Sequence, residues 1–212
     1  MPPLPPLDVD LVAFDTATQA LTPIAPGREA RMYVCGITPY DATHIGHAAT
    51  YVVFDTIHRF WRATGRDVTY VQNVTDIDDP LLERAARDGV DWQQLAAFEI
   101  QRFRDDMVAL RVLPPTHLVG AVETVGDAAA RVAQIRDAGA AYEVDGDLYF
   151  AASAAARFGG VSHLPAEDMI AISAERGGDP ERPGKANPVD PLLWQGLTIA
   201  ANSLGMHPMV TI

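Results

Sequence analysis

The pattern of apolar and polar positions predicts a β-α-β unit in the first half of the chain. A short apolar run at residues 31–35 predicts a strand, an amphipathic pattern at 44–64 predicts a helix, and the apolar run 68–74 predicts a second strand. Strands joined by a crossover helix are parallel, and ligands of such sheets bind beyond the carboxyl ends of the strands. Cys35 and Asn73 are both predicted to lie at that edge.

The predicted crossover helix carries apolar residues at spacings of three and four, which indicates one buried face, and Gly65 is placed to end it. The residues of that face are Ala49, Val53, Ile57, Phe60 and Trp61. Before the unit, residues 11–14 and 20–24 predict a hairpin at the edge of the sheet.

After the unit, helix start signals and breakers predict three more helices. Asp79 is predicted as the N-cap of a short helix that ends at Gly89, and Asp91 as the cap of a helix over residues 92–112. A third helix is predicted at 119–138.

Beyond these helices the pattern changes to short strands and loops. Runs at 142–144 and 148–150 flank Asp145-Gly146, which predicts a hairpin. Residues 159–184 read as loop with one helix near 166–173. These elements predict a Rossmann-like α/β fold with a parallel sheet and an inserted α+β subdomain. The predicted divisions are an extended segment and hairpin at 1–29, a nucleotide-binding half at 30–115, the inserted subdomain at 116–190 and a tail at 191–212.

The composition and charge of the chain indicate which classes of function do not fit it. The chain has 212 residues, 48% of them hydrophobic, and a formal net charge of -12 with a single lysine, Lys185. This balance predicts a globular protein and argues against binding through the phosphates of nucleic acid, which needs clustered cations. Cys35 is the one cysteine and the sequence contains no apolar run of about 20 residues, so we expect a cytoplasmic protein without a membrane segment.

The chemistry is concentrated in residues 32–47, where Cys35 ends a strand and His44 and His47 begin a helix. A helix N-terminus attracts phosphate, and imidazoles there can stabilise charge that develops on it. A His-x-Gly-His pattern alone is weak, because paired histidines at a helix start are often caps. The position after a strand, with a second strand ending in Asn73, favours a nucleotide site instead.

Residues 32–87 resemble the cysteinyl-tRNA synthetase-like class I family, whose HIGH motif corresponds to His44, Ile45, Gly46 and His47. Within that family the chain is most similar to the cysteine ligases of mycothiol biosynthesis. This closer similarity rests on residues 36–44, 46–51 and 75–80, and on a segment that resembles the ligases' ERGGDP motif. The segment consists of Glu175, Arg176, Gly177, Gly178, Asp179 and Pro180.

The resemblance implies a fold and a reaction. The fold would be the first half of a class I synthetase catalytic domain (HUP-type). The reaction would be ATP-dependent ligation of L-cysteine to the amine of glucosaminyl-inositol through cysteinyl-adenylate, without tRNA. His44 and His47 would be catalytic and Cys35 a zinc ligand. The residues implied in binding substrate or adenylate are Cys35, Gly36, Ile37, Thr38, Thr50, Asn73, Val74, Thr75 and Trp194.

Several of these residues have plainer interpretations. Thr50 could be an ordinary helix residue, Asn73 and Thr75 could cap a strand and a turn, and Trp194 could belong to a core. The segment 175–180 is interpreted as a flexible recognition loop, with a plain surface loop as the alternative. The aspartates at 76, 78 and 79 are interpreted as helix caps that help to orient the amino group of cysteine, rather than as a metal site.

The sequence departs from the family in its zinc and phosphate-binding motifs. The second Cys and the His that would complete the zinc site are missing, as is the lysine-rich KMSKS loop, so Cys35 alone cannot hold catalytic Zn²⁺. We therefore expect a truncated form of a ligase that is monomeric when intact and that uses ATP with Mg²⁺. The alternatives are a cysteinyl-tRNA synthetase and a non-catalytic nucleotide-binding remnant.

Overall fold

The structure is a computed structural model that describes residues 11–24 and 27–196. These residues divide into two units. One contains Pro23–Thr124 with the start of the first strand, and the other contains Ala13–Thr22 with the described residues from Val125 onward. Strands β1 (Val12–Asp15) and β2 (Ala20–Pro23) form a two-stranded sheet of their own. The hairpin is thus confirmed, whereas its predicted place at the edge of the parallel sheet is wrong.

The parallel sheet of the first unit has three strands in the order β3 (Glu29–Ile37), β4 (Asp67–Val74) and β5 (His117–Gly120). Both pairings are parallel, which confirms the predicted β-α-β unit. The third strand is a difference from the sequence analysis, which assigned part of it to a helix. Because β5 has only four residues, it is too short to show a strand period of its own.

Helix α1 (Ile45–Ala63) crosses between β3 and β4. His44 is its N-cap, and Gly65, with φ of 77°, follows its C-cap. Its buried residues are Tyr51, His58 and Trp61, whereas Val53, predicted to be buried, is 58% exposed. The predicted Ile57 and Phe60 also pack against the core, so the buried stripe overlaps the predicted one and departs from it at Val53. It packs on a core that contains Ala30, Met32, Val34, Tyr70, Val74 and Phe103.

Three further helices follow β4 and β5: α2 (Asp79–Asp88), α3 (Trp92–Ala109) and α4 (Ala121–Asp137). Asp91 caps α3 through a bond from the Gln94 N–H, as predicted. The N-cap of α2 is Asp78 and not Asp79, because the Asp78 carboxylate accepts from the Asp79 N–H. Among the described residues, no helix is long and apolar enough to cross a membrane.

The second unit contains an antiparallel sheet of β6 (Ala141–Val144), β7 (Asp147–Phe150) and β8 (Leu192–Trp194). Asp145 and Gly146 both have positive φ, 52° and 91°, which confirms the predicted hairpin turn. A 3₁₀ turn at Ala152–Ala154 and helix α5 (Ala166–Glu175) lie between β7 and β8. Strand β8 was not predicted, because three residues after a Pro-rich loop are too few to show the alternating pattern of a strand.

Candidate active site

The carboxyl ends of β3 and β4 are held together by Asn73. Its side-chain Oδ1 accepts from the Gly36 N–H at 2.8 Å and from the Tyr33 hydroxyl at 2.9 Å. The Thr75 N–H donates to the Ile37 carbonyl at 2.9 Å. The structure thus brings together four residues that the sequence analysis assigned to one site, and Asn73 is the residue that joins them.

Gly36 is required by the close approach of the two strands. A Cβ atom at this position would lie 1.4 Å from the Asn73 carbonyl oxygen, which is impossible without moving one strand. The strand register shifts between Val34 and Ile37 at the same place. The absence of a side chain at Gly36 therefore serves the close contact between β3 and β4 at this edge.

Cys35 presents an exposed thiol at the end of β3, and its carbonyl accepts from the Tyr51 hydroxyl at 3.3 Å. Tyr51 is 2% exposed, and burial raises its pKa to about 12, with the Tyr70 side chain adding to the rise. The hydroxyl therefore remains a donor at neutral pH. Tyr51 and Tyr33 tie β3 to α1 and β4, and the sequence analysis missed both roles, since tyrosines in apolar runs read as core.

His44 and His47 form a reciprocal cap at the start of α1. The Gly46 N–H donates to His44 Nδ1 at 3.1 Å, and the His44 N–H donates to His47 Nδ1 at 3.2 Å. The ring centroids are 4.1 Å apart. Partial burial, and secondarily the neighbouring His44, lower the pKa of His47. The pair is thus a cap, as the plainer interpretation proposed, and among the described residues its Nε2 atoms have no hydrogen-bond partner.

The remaining residues of the predicted motif lie around this cap. Ile45 is 86% exposed, and the exposed Thr50 donates its hydroxyl to the Gly46 carbonyl at 3.2 Å. The Thr38 hydroxyl contacts Asp78 at 3.4 Å. Because Asp78 also caps α2, its carboxylate links the loop after β3 to the start of α2.

Of the three aspartates after β4, Asp76 and Asp78 are helix caps. Asp76 accepts from the Val122 N–H at 2.9 Å, so it caps the start of α4 across the sheet edge. Gly120 leaves room for it, since a Cβ there would lie 2.5 Å from Asp76 Oδ2. Asp79 is exposed in the first turn of α2. The sequence analysis predicted caps, but without β5 it could not identify the partner of Asp76.

A zinc site does not assemble from the described residues. Across residues 11–24 and 27–196 no group of three His, Cys, Asp or Glu side chains is arranged to hold a metal ion. Catalytic zinc takes about three protein ligands, so Cys35 can at most be one of them.

The other predicted site residues belong to the second unit. Trp194 lies in β8 opposite Leu148. Glu175 ends α5, and Arg176 and the following glycines are exposed.

Asp179 is anchored, in contrast to the flexible loop that the sequence suggested. It accepts from the Tyr149 hydroxyl and, at 2.9 Å, from Lys185 Nζ. The side chain of Lys185 is only 3% exposed and also donates to the Asp179 and Pro188 carbonyls. All three donors of the one lysine are thus used within this loop.

Comparison with known proteins agrees with this geometry. Residues 21–204 match the family described as tRNA synthetases class I (C) catalytic domain. The chain is 61% identical over 194 residues to a protein of Streptomyces coelicolor named L-cysteine:1D-myo-inositol 2-amino-2-deoxy-alpha-D-glucopyranoside ligase, covering 92% of this chain and 47% of that protein. It is 59% identical to the protein of the same name from Salinispora tropica, over 92% of this chain and 49% of the relative.

The chain spans about half the length of the curated relatives that it matches. Among solved structures, methionyl-tRNA synthetase of Mycobacterium tuberculosis in complex with methionyl-adenylate aligns with a TM-score of 0.49 and 19% identity, over 70% of this chain and 36% of that one, too distant to support a conclusion. The match of the family to most of the chain, together with the parallel sheet and the cap at its edge, shows that this chain belongs to the family of class I (C) tRNA synthetase catalytic domains.

Proposed function

We propose that this chain acts in the ATP-dependent ligation of L-cysteine to the amine of glucosaminyl-inositol. The main support for this proposal is the sheet edge where the Asn73 side chain joins β3 to β4. Gly36, which allows this close approach of the strands, and the histidine cap of α1 belong to the same strand-loop-helix segment. The names of the relatives, which are ligases of this substrate pair, support the choice of substrates.

The proposed reaction has two steps. The carboxylate of cysteine attacks the α-phosphorus of ATP, and pyrophosphate leaves, which gives cysteinyl-adenylate. The amine of glucosaminyl-inositol then attacks the carbonyl carbon of the adenylate, loses a proton, and displaces AMP to form an amide. Both steps need positioning and stabilisation of negative charge rather than a protein nucleophile.

His44 and His47 are proposed to donate hydrogen bonds to the phosphate oxygens in the first step. Gly36, Thr38 and Thr75 are proposed to bind the adenylate from the ends of β3 and β4, next to Asn73. Thr50 is the other proposed contributor to this pocket, because Ile37 and Val74 are buried in the core and Trp194 belongs to the second unit. The exposed segment before Asp179 is proposed to contact the acceptor, while Asp179 itself holds the loop in place.

The proposed reaction involves Mg²⁺ as part of the ATP substrate, and Zn²⁺ only if other ligands join Cys35. Mg²⁺ with ATP is the expected form of the substrate, since phosphate oxygens are its preferred ligands. Zinc bound with Cys35 among its ligands would coordinate the thiol of the substrate, because thiolates suit zinc and a hydroxyl suits it less. The described residues do not complete such a site, so the proposed steps are carried by the residues named above.

Cysteinyl-tRNA synthetase is the main alternative. The net charge of -12 and the single lysine weigh against a tRNA surface, and the relatives' names favour the ligase. A non-catalytic nucleotide-binding remnant is the second alternative. Transfer of cysteine to tRNA would favour the first alternative, and nucleotide binding without any cysteine-dependent exchange would favour the second.

Calorimetric titration with a non-hydrolysable cysteinyl-adenylate analogue tests the proposal. We expect saturable binding of the cysteinyl analogue to the chain. Cysteine-dependent exchange of pyrophosphate into ATP, and amide formation with glucosaminyl-inositol, are the corresponding activities. No binding of the cysteinyl analogue would refute the proposal.

A matched pair of threonine variants localises the binding. Thr50 and Thr56 are both exposed on α1, and each donates its hydroxyl to the carbonyl four residues earlier, at 3.2 Å and 2.9 Å. Only Thr50 is proposed to face the ligand. Thr50→Ala should therefore weaken binding of the cysteinyl analogue, whereas Thr56→Ala should leave it unchanged. Equal effects of the two substitutions would contradict the assigned site.

A further inference from the structure

We infer that the reciprocal cap at the start of α1 fixes the tautomer of both histidines, so that each is a neutral imidazole that accepts at Nδ1 and donates at Nε2. In the cap, backbone N–H groups point at His44 Nδ1 and at His47 Nδ1, 3.1 Å and 3.2 Å away. A nitrogen that accepts a hydrogen bond cannot carry a proton. In a neutral imidazole the proton must then lie on the other ring nitrogen.

The Nε2 atoms of both rings are left for a ligand. Within the described residues neither His44 Nε2 nor His47 Nε2 has a hydrogen-bond partner. The ring centroids lie only 4.1 Å apart, so two imidazolium ions would repel each other strongly. With both Nδ1 atoms accepting, each ring presents an Nε2–H donor at the positive end of a helix, where an anionic group is favoured.

Gly46 is explained by the same geometry. A Cβ at position 46 would lie 2.8 Å from His44 Cε1 and 3.0 Å from His44 Nδ1, so any larger residue would displace the ring from its capping position. The pattern His-x-Gly-His thus has one physical reading in this chain. The first histidine caps, the glycine leaves room for its ring, and the second histidine completes the cap.

This inference rests on the proposed function only for its consequence, that the two Nε2–H groups donate to a phosphate. The tautomers themselves are a property of the free chain. They can be measured without substrate, so failure of the inference and failure of the proposed function can be told apart.

Long-range ¹H–¹⁵N correlation spectra of the ¹⁵N-labelled chain test the tautomers. At about pH 8, above the ordinary imidazole pKa, we expect pyridine-like Nδ1 and pyrrole-like Nε2 resonances for both histidines. Single His variants assign the signals. A protonated Nδ1 in either ring would overturn the inference. In Gly46→Ala the displaced His44 ring should show a mixture of tautomers, and an unchanged spectrum would overturn the role given to Gly46.

Two substitutions separate the cap from the donor. His44→Asn keeps an acceptor near the place of Nδ1 and removes the Nε2 donor, whereas His44→Gln places an amide near Nε2 and loses the nearby acceptor. We expect H44Q to melt about 2–4 °C below H44N, since one cap is lost. H44N should weaken binding of the cysteinyl-adenylate analogue without this loss of stability. Equal melting temperatures would contradict the capping role, and unchanged analogue binding in H44N would contradict the donor role while leaving the measured tautomers intact.

Discussion

Replacement of Gly36 by alanine tests the physical basis of the site most severely. The added Cβ would lie 1.4 Å from the Asn73 carbonyl oxygen, and both atoms belong to the backbone frame of paired strands. Neither can rotate away, unlike the end of a flexible side chain. The strands must separate locally to accept the methyl group.

The cost can be approximated from the contacts that separation breaks. Overpacking of a tight interior costs about 1–3 kcal/mol. The bonds from the Gly36 N–H to Asn73 Oδ1 and from the Thr75 N–H to the Ile37 carbonyl would be strained or lost, about 1 kcal/mol each. We therefore expect Gly36→Ala to lower the free energy of unfolding by on the order of 3–5 kcal/mol.

Urea unfolding followed by far-ultraviolet circular dichroism measures this loss. Gly27→Ala is the matched control in the same unit, because a Cβ at Gly27 meets nothing within 4 Å. Its effect should stay within about 0.5 kcal/mol. If Gly36→Ala proved as stable as Gly27→Ala, the close approach of β3 and β4 at this point would be wrong, and so would the account of the site built on it.

Three other predictions concern charges that the structure accounts for. Lys185→Met should cost on the order of 1–2 kcal/mol in urea unfolding, because Asp179 loses its buried ammonium partner and keeps only Arg182, at 3.7 Å, as a cationic neighbour. No loss would contradict the anchored loop. Burial lowers the pKa of His58, so as the pH falls the unfolded chain takes up this proton before the folded chain does. The free energy of unfolding should therefore fall as the pH drops below about 6.5. His58→Phe should reduce this pH dependence. Asp76→Ala should cost about 1 kcal/mol through loss of the α4 cap, and Asp79→Ala only a few tenths; equal costs would count against the cap.

The sequence predicted those parts of the fold that depend on local signals. Helix α1 begins at its histidine cap and ends before Gly65, and the Asp145-Gly146 turn has the positive φ angles that such a pair favours. Periodicity placed the helix correctly. It placed the buried face in part: Trp61 is buried and Ile57 and Phe60 pack against the core, whereas Val53 fits the apolar spacing but is exposed.

What the sequence could not show are contacts between residues distant along the chain. The bond from Asn73 to Gly36 spans 37 positions, and the cap from Asp76 to Val122 spans 46. The partner of Asp76 follows β5, and this strand of four residues is too short to be predicted from its pattern. Likewise, the Gly-rich segment before Pro180 reads as a loop, and only the structure shows that Tyr149 and Lys185 hold Asp179 in place.

The central claim is that the carboxyl edge of β3 and β4, with the capped start of α1, binds an aminoacyl-adenylate. Titration of the ¹⁵N-labelled chain with the cysteinyl-adenylate analogue, followed by amide ¹H–¹⁵N spectra, tests it directly. The account predicts that the largest shifts fall on the amides of Gly36, Gly46 and Thr75. Saturable shifts confined to other parts of the chain, or no shifts at all, would contradict it.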